Sequence, residues 1–201
     1  MSGIRRNMMA LRSGGGVDWQ AMYYGLVDGT LSGEVLLPSG LTKIRDYLLY
    51  NFTGVTSITL PDTVTSIEGY SLYGLKITSL DLKNVTRIGT RALCYCDLES
   101  INIPNEVTYI GDYAFGACTK LKHVVIGSGI TEIRQGAFWN DSAILDMVVN
   151  ATTPPTLGNI GIGATTYTFP IYVPDGSVAT YKSTSGWSSY ASRIYSINDM
   201  P

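Results

Sequence analysis

The chain has 201 residues, 45% of them hydrophobic and 15% charged, with a formal net charge of −2 and a pI near 5.3. That balance is too apolar for a disordered chain, offers no basic stripe for nucleic acid, and contains no apolar run long enough to span a membrane. The 22 glycines and 14 tyrosines, with frequent threonine, favour strands and tight turns over helices.

Residues 1–16 read as an arm and a hinge. Ile4, Arg5, Arg6, Met8 and Leu11 form a short apolar-basic segment, and Gly14-Gly15-Gly16 follows as a flexible joint. No apolar core follows the two arginines, so no secretory signal is expected. The protein is therefore expected in a virion or the cytoplasm, with the cell surface as the alternative. The arm is either a disordered tail or a docking peptide that tethers the rest to a larger assembly.

Residues 17–33 read as a capping helix. Asp18 can N-cap it and Gly29 can end it. Trp19, Met22, Tyr23, Leu26 and Val27 recur at i, i+3, i+4, i+7 and i+8, which puts them on one face.

Residues 34–149 repeat with a period of 21–23 residues. An apolar anchor recurs at Leu37, Leu60, Leu82, Ile103, Ile126 and Val149, and an isoleucine column at Ile44, Ile67, Ile88, Ile110 and Ile133. Leu41, Val64, Val85, Val107 and Ile130 stand three residues before the isoleucines, and Thr42, Thr65, Thr86, Thr108 and Thr131 two before. Short strands such as Ile58-Thr59-Leu60, Leu80-Asp81-Leu82 and Ile101-Asn102-Ile103 should bury their outer pair and expose the middle residue. One unit cannot bury its inward face alone, so the units must stack into a solenoid with a continuous core. Stacked threonines suit adjacent rungs and can share hydroxyl hydrogen bonds.

Residues 150–201 read as a loop and a C-terminal cap. The stretch 150–170 is rich in Thr, Gly and Pro and reads as a loop. Asp175 can N-cap a short helix through Lys182, after which Trp187 and Tyr190 would cover the last rung.

No residue set supports catalysis, a cofactor or a metal. His123 is the only histidine and shares a column with Ser57, Ser79 and Ser100, so it reads as a surface residue. Cys94-Tyr95-Cys96 lacks further ligands, and Cys96 and Cys118 read as buried free thiols. Asp81, Glu99 and Asp112 fall in different columns and make no acid/base pair. What remains is an aromatic surface. Three residues after the isoleucines come Tyr47, Tyr70, Arg91, Tyr113 and Gly136; six after come Tyr50, Tyr73, Cys94, Gly116 and Trp139. Tyr50, Tyr70, Tyr73, Tyr113 and Trp139 are the candidate ligand surface, and aromatic faces serve protein and carbohydrate alike.

The segment Ile103-Pro104-Asn105-Glu106-Val107-Thr108-Tyr109-Ile110-Gly111-Asp112-Tyr113-Ala114-Phe115-Gly116-Ala117-Cys118 closely resembles the BspA-like (Treponema-pallidum-type) leucine-rich repeat. Gly89 with Ala92-Leu93, and Ala137-Phe138, match it in neighbouring units; Leu48-Leu49 and Ser71-Leu72 depart from its Ala-Phe pair. The C-terminal Ile171-Tyr172-Val173-Pro174-Asp175-Gly176 looks like the closing segment of such proteins. The resemblance implies a right-handed, β-rich leucine-rich-repeat solenoid whose members bind proteins or carbohydrate, often at bacterial or protozoan surfaces, with no family catalytic residues. The expectation is a non-catalytic protein- or glycan-binding module. It would be anchored in a larger assembly such as a phage particle, or act as a bacterial surface adhesin, or serve as an intracellular interaction scaffold. Self-association through strand edges or the arm is compatible with this reading.

Overall fold

A computed structural model describes residues 32–164 and 166–201. The arm and the helix expected over Asp18–Asp28 lie outside the described residues.

Thirteen short strands run in chain order among the described residues: β1 (Gly33–Leu36), β2 (Lys43–Ile44), β3 (Val55–Thr59), β4 (Ser66–Ile67), β5 (Arg87–Ile88), β6 (Ser100–Ile103), β7 (Tyr109–Ile110), β8 (His123–Ile126), β9 (Glu132–Ile133), β10 (Asp146–Val149), β11 (Thr156–Leu157), β12 (Ile171–Val173) and β13 (Ile194–Ser196). All pairings are parallel, as a coil that returns once per repeat requires. One side of the solenoid is the six-stranded sheet β2-β4-β5-β7-β9-β11, in which Ile44, Ile67, Ile88, Ile110, Ile133 and Leu157 lie in register. A second side is the sheet β6-β8-β10-β12-β13, preceded by the separate pair β1-β3. The five isoleucines of the first sheet are fully buried, and Leu60, Leu82, Ile103, Ile126 and Val149 meet them from the second side in one core. The repeat is thus a packing device, because each side chain of these two columns has its counterpart one rung away.

The exposed threonine column is hydrogen-bonded differently from expectation. Thr86 Oγ1 donates to the Thr65 carbonyl at 3.0 Å and Thr131 Oγ1 to the Thr108 carbonyl at 2.9 Å, so each hydroxyl ties its rung to the backbone of the one before.

Leu80-Asp81-Leu82 does not form the expected strand, which is why the second side is split between β3 and β6. The alternation itself holds: Leu80 and Leu82 are buried and Asp81 is exposed. The cause is a turn one residue too short. Leu60 is four residues from Val64 and Ile103 four from Val107, but Leu82 is only three from Val85. Lys83 absorbs the difference at φ 44°, and its amide donates to the Asp81 carboxylate at 3.1 Å. The side chain of the would-be strand's middle residue thus competes with strand pairing for the backbone.

The C-terminal end differs from expectation in two details. The stretch 150–170 is not all loop: β11 lies within it and extends the first sheet. Asp175 is not a side-chain N-cap; it sits in the first turn of a 3-10 segment (Asp175–Ser177) that leads into helix α1 (Val178–Ser183). A further 3-10 segment spans Trp187–Arg193. Tyr181, Trp187 and Tyr190 are buried there, and their polar tips satisfy carbonyls that a loop would otherwise strand. Tyr181 OH donates to Ala151 O at 2.9 Å, Trp187 Nε1 to Pro155 O at 2.8 Å and Tyr190 OH to Gly163 O at 2.9 Å.

Candidate functional site: the aromatic turn face

The third side of the solenoid is a stack of turns. Within a rung the amides reach back three residues, as from Tyr50 to Tyr47 at 3.2 Å and from Phe52 to Leu49 at 3.3 Å. Two columns take left-handed backbone. The first is Tyr47, Tyr70, Arg91, Tyr113 and Gly136, with φ between 52° and 59°. The second is Asn51, Gly74, Tyr95, Ala117 and Asn140, with φ between 59° and 75°. Left-handed backbone costs a side-chain-bearing residue roughly 1–2 kcal/mol. Hydrogen bonds between rungs hold it in place: Tyr47, Tyr70, Arg91 and Tyr113 donate forward to Gly69, Thr90, Asp112 and Gln135 at 2.8–3.1 Å. The same turns send Leu49, Leu72, Leu93, Phe115 and Phe138 into the core.

The conformation turns the aromatic residues outward and stacks them at the spacing of the rungs. Tyr47 and Tyr70 lie 4.9 Å apart between centroids with planes 10° apart, and Tyr50 and Tyr73 lie 4.8 Å apart with planes 22° apart. The two rows touch, with 5.6 Å between Tyr47 and Tyr50 and 5.8 Å between Tyr70 and Tyr73. Tyr95 extends the block at 5.3 Å from Tyr73. Farther along, Tyr113 meets Trp139 edge-on at 6.1 Å. Arg91 bridges the groups, its guanidinium carbon 5.7 Å from the Tyr70 ring centroid and 4.9 Å from that of Tyr113. Tyr47, Tyr50, Tyr95 and Trp139 are exposed. Burial, followed by the neighbouring Cys94, Tyr50 and Tyr95, raises the Tyr73 phenol above its ordinary range, with Arg91 opposing; the hydroxyl therefore stays a neutral donor and acceptor.

Of the residues proposed from sequence, Tyr50, Tyr70 and Tyr73 come together in one cluster, and Tyr113 and Trp139 form a second. The arm residues Ile4, Arg5, Arg6, Met8 and Leu11 lie outside the described residues. Sequence reasoning missed Tyr95, although Asn51, Gly74 and Asn140 in its column mark left-handed backbone. Arg91 stood in an aromatic column without a role.

Elsewhere the chemistry is quiet. The three thiols are free and buried; Cys96 donates to Leu72 O at 3.1 Å and Cys118 to Leu93 O at 3.2 Å. Burial pushes the Cys94 and Cys96 thiols up to about 12 and Cys118 well above its ordinary value. His123 is exposed, as expected, with Nδ1 2.7 Å from an Asp146 carboxylate oxygen on the next strand. Among the described residues no group of three His, Cys, Asp or Glu side chains could hold a metal ion, and no helix is long and apolar enough to cross a membrane. One polar residue stands out. Asp141, next in the Cys96–Cys118 column, is fully buried, and among the described residues neither carboxyl oxygen has a hydrogen-bond partner.

The BspA type leucine rich repeat region matches residues 30–159 in six copies. The chain belongs to this family. Two solved structures share the BspA-type fold. A leucine-rich repeat protein from Bacteroides ovatus is 24% identical with a TM-score of 0.52, over 73% of this chain and 40% of that one. The pneumococcal vaccine antigen PcpA is 20% identical with a TM-score of 0.57, over 74% of this chain and 42% of that one. The chain thus matches less than half the length of either protein. No curated protein matches the sequence.

Proposed function

We propose that this BspA-type repeat chain is a protein-binding module with no reaction of its own, and that it binds through the aromatic turn face. The observation that carries the proposal is the continuity of that face. Tyr47, Tyr50, Tyr70, Tyr73 and Tyr95 form an unbroken block, and Arg91 links it to Tyr113 and Trp139. Tyr, Trp and Arg are the residue types that dominate binding energy at protein interfaces. A pure core-packing role would not leave four of these rings exposed. The test is a triple variant, Tyr50→Ser, Tyr73→Ser and Trp139→Ser, screened beside the parent chain against displayed peptides and a glycan array. Loss of the parent's peptide ligands with an unchanged melting profile is expected. Ligands that bind both proteins equally would sink the proposal.

We also propose that the module is carried on a larger assembly, a phage particle or a cell surface, through the apolar-basic arm at residues 1–16. Quantifying its peptides across purified particles, envelopes and cytosol tests this. A wholly cytosolic distribution, or partner binding unchanged by deletion of residues 1–16, would count against it.

A further inference from the structure

We infer that the occupant of the aromatic face is an extended segment of a partner protein that carries a carboxylate paired to Arg91. The inference rests on the proposed role of that face and adds its chemistry. Arg91 stands on the third of five rungs, between the Tyr47, Tyr50, Tyr70 and Tyr73 block and the Tyr113–Trp139 pair. It is half-buried, and among the described residues no carboxylate lies within ion-pair distance of it. Asp112, on the next rung, is engaged instead by the Gln135 amide at 3.1 Å and by Arg134 at 3.6 Å. A carboxylate arriving at Arg91 therefore displaces no existing ion pair. It gains a charge-assisted bond beside aromatic rings that limit solvent access.

The stacking of the tyrosine pairs favours a peptide over a sugar. A sugar stacks on an open aromatic face. In the two stacked pairs the faces are turned toward each other, 4.9 Å apart for Tyr47 and Tyr70 and 4.8 Å for Tyr50 and Tyr73, and Arg91 lies over the rings of both Tyr70 and Tyr113. The stacked pairs offer ring edges and hydroxyls over their shared faces, a ridged surface along which extended backbone can lie. Five rungs at about 4.8 Å span roughly 20 Å, the reach of about six extended residues.

The test selects random linear dodecapeptides displayed on phage against the full chain, then measures the recovered peptides by fluorescence anisotropy. The expected result is an Asp or Glu fixed at one position among apolar and aromatic residues. Affinity should fall about tenfold with Arg91→Asn, since the lost bond is charge-assisted. Asparagine tolerates the left-handed backbone at that position, as Asn51 and Asn140 do, so this variant should fold. Arg91→Glu should turn the preference to Lys or Arg. Peptides that need Tyr50 and Tyr73 but ignore both Arg91 variants would overturn this inference and leave the aromatic face standing as the binding surface. Peptides indifferent to Tyr50, Tyr73 and Arg91 alike would overturn both. Recovery of no peptide, or Arg91-dependent binding of a hyaluronan hexasaccharide alone, would overturn the assignment of a peptide.

Discussion

The Tyr113 ring lies against Gly136 so closely that a Cβ at position 136 would sit 2.6 Å from Tyr113 Cε1. The glycine leaves room for the ring, which then receives the Gln135 Nε2 amide on its hydroxyl at 3.2 Å and meets Trp139 edge-on. Gly136 is also left-handed, with φ 58°. Gly136→Ala therefore brings two costs, a strained backbone of roughly 1–2 kcal/mol and a displaced tyrosine. Urea unfolding should show a loss of about that size. Tryptophan fluorescence should shift, because Trp139 loses the ring beside it. An unchanged emission spectrum would mean that Tyr113 keeps its place.

Asp141 gives the fold a dependence on pH. Its carboxyl is fully buried with no hydrogen-bond partner among the described residues, and desolvation raises its pKa well above the ordinary carboxylate range, with the Cys118 backbone opposing. The folded value is raised and the unfolded value is ordinary. The group's contribution to stability is therefore fully present below about pH 4 and is lost as pH rises from there through the folded value. The two preceding rungs show what fits the position: thiols that donate to Leu72 O and Leu93 O. Asp141→Cys should stabilise the protein at neutral pH by about 1–3 kcal/mol. The advantage over the parent should shrink as the solution is acidified toward pH 4. Equal urea midpoints for the two proteins at pH 5 and pH 8 would contradict this account of the site.

Burial was the legible part of the sequence, because each inward column repeats a residue type at the period of the coil. Hydrogen bonding was less legible. Leu80-Asp81-Leu82 carries the right alternation, yet the missing residue between Leu82 and Val85 removes the strand. The turn face was half legible: the columns that hold the tyrosines are visible, but which way a turn residue points depends on its left-handed φ. In the column of Tyr95, Asn51, Gly74 and Asn140 carry that signal, but no second aromatic residue stands there, so the pattern of aromatic columns does not include Tyr95. The same gap makes a prediction. Strand β8 is paired on both edges, with β6 and with β10, whereas residues 80–82 pair with neither side. Native-state hydrogen exchange should find the amides of residues 80–82 opening well before those of β8. Equal protection would show that the second side is continuous in solution.

The three cysteines predict a chemical silence that can be measured. Cys96 and Cys118 occupy equivalent places on adjacent rungs, which from sequence alone leaves a disulfide geometrically conceivable. In the folded chain each sulfur has its own acceptor. Cys96 donates to Leu72 O and Cys118 to Leu93 O, so neither points its bond at the other. Nucleophilic attack requires the thiolate, and burial disfavours it at all three positions, pushing Cys94 and Cys96 up to about 12. The folded protein should therefore leave 5,5′-dithiobis(2-nitrobenzoate) nearly unreacted at pH 8, and all three thiols should react together once denaturant unfolds the solenoid. Cys94, on the aromatic face beside Tyr73 and Arg91, is the discriminating position. Loss of reagent by the native chain that disappears in Cys94→Ser would show that the turns of this face open on their own. The aromatic block would then be a surface assembled on binding rather than one held ready by the rungs beneath it.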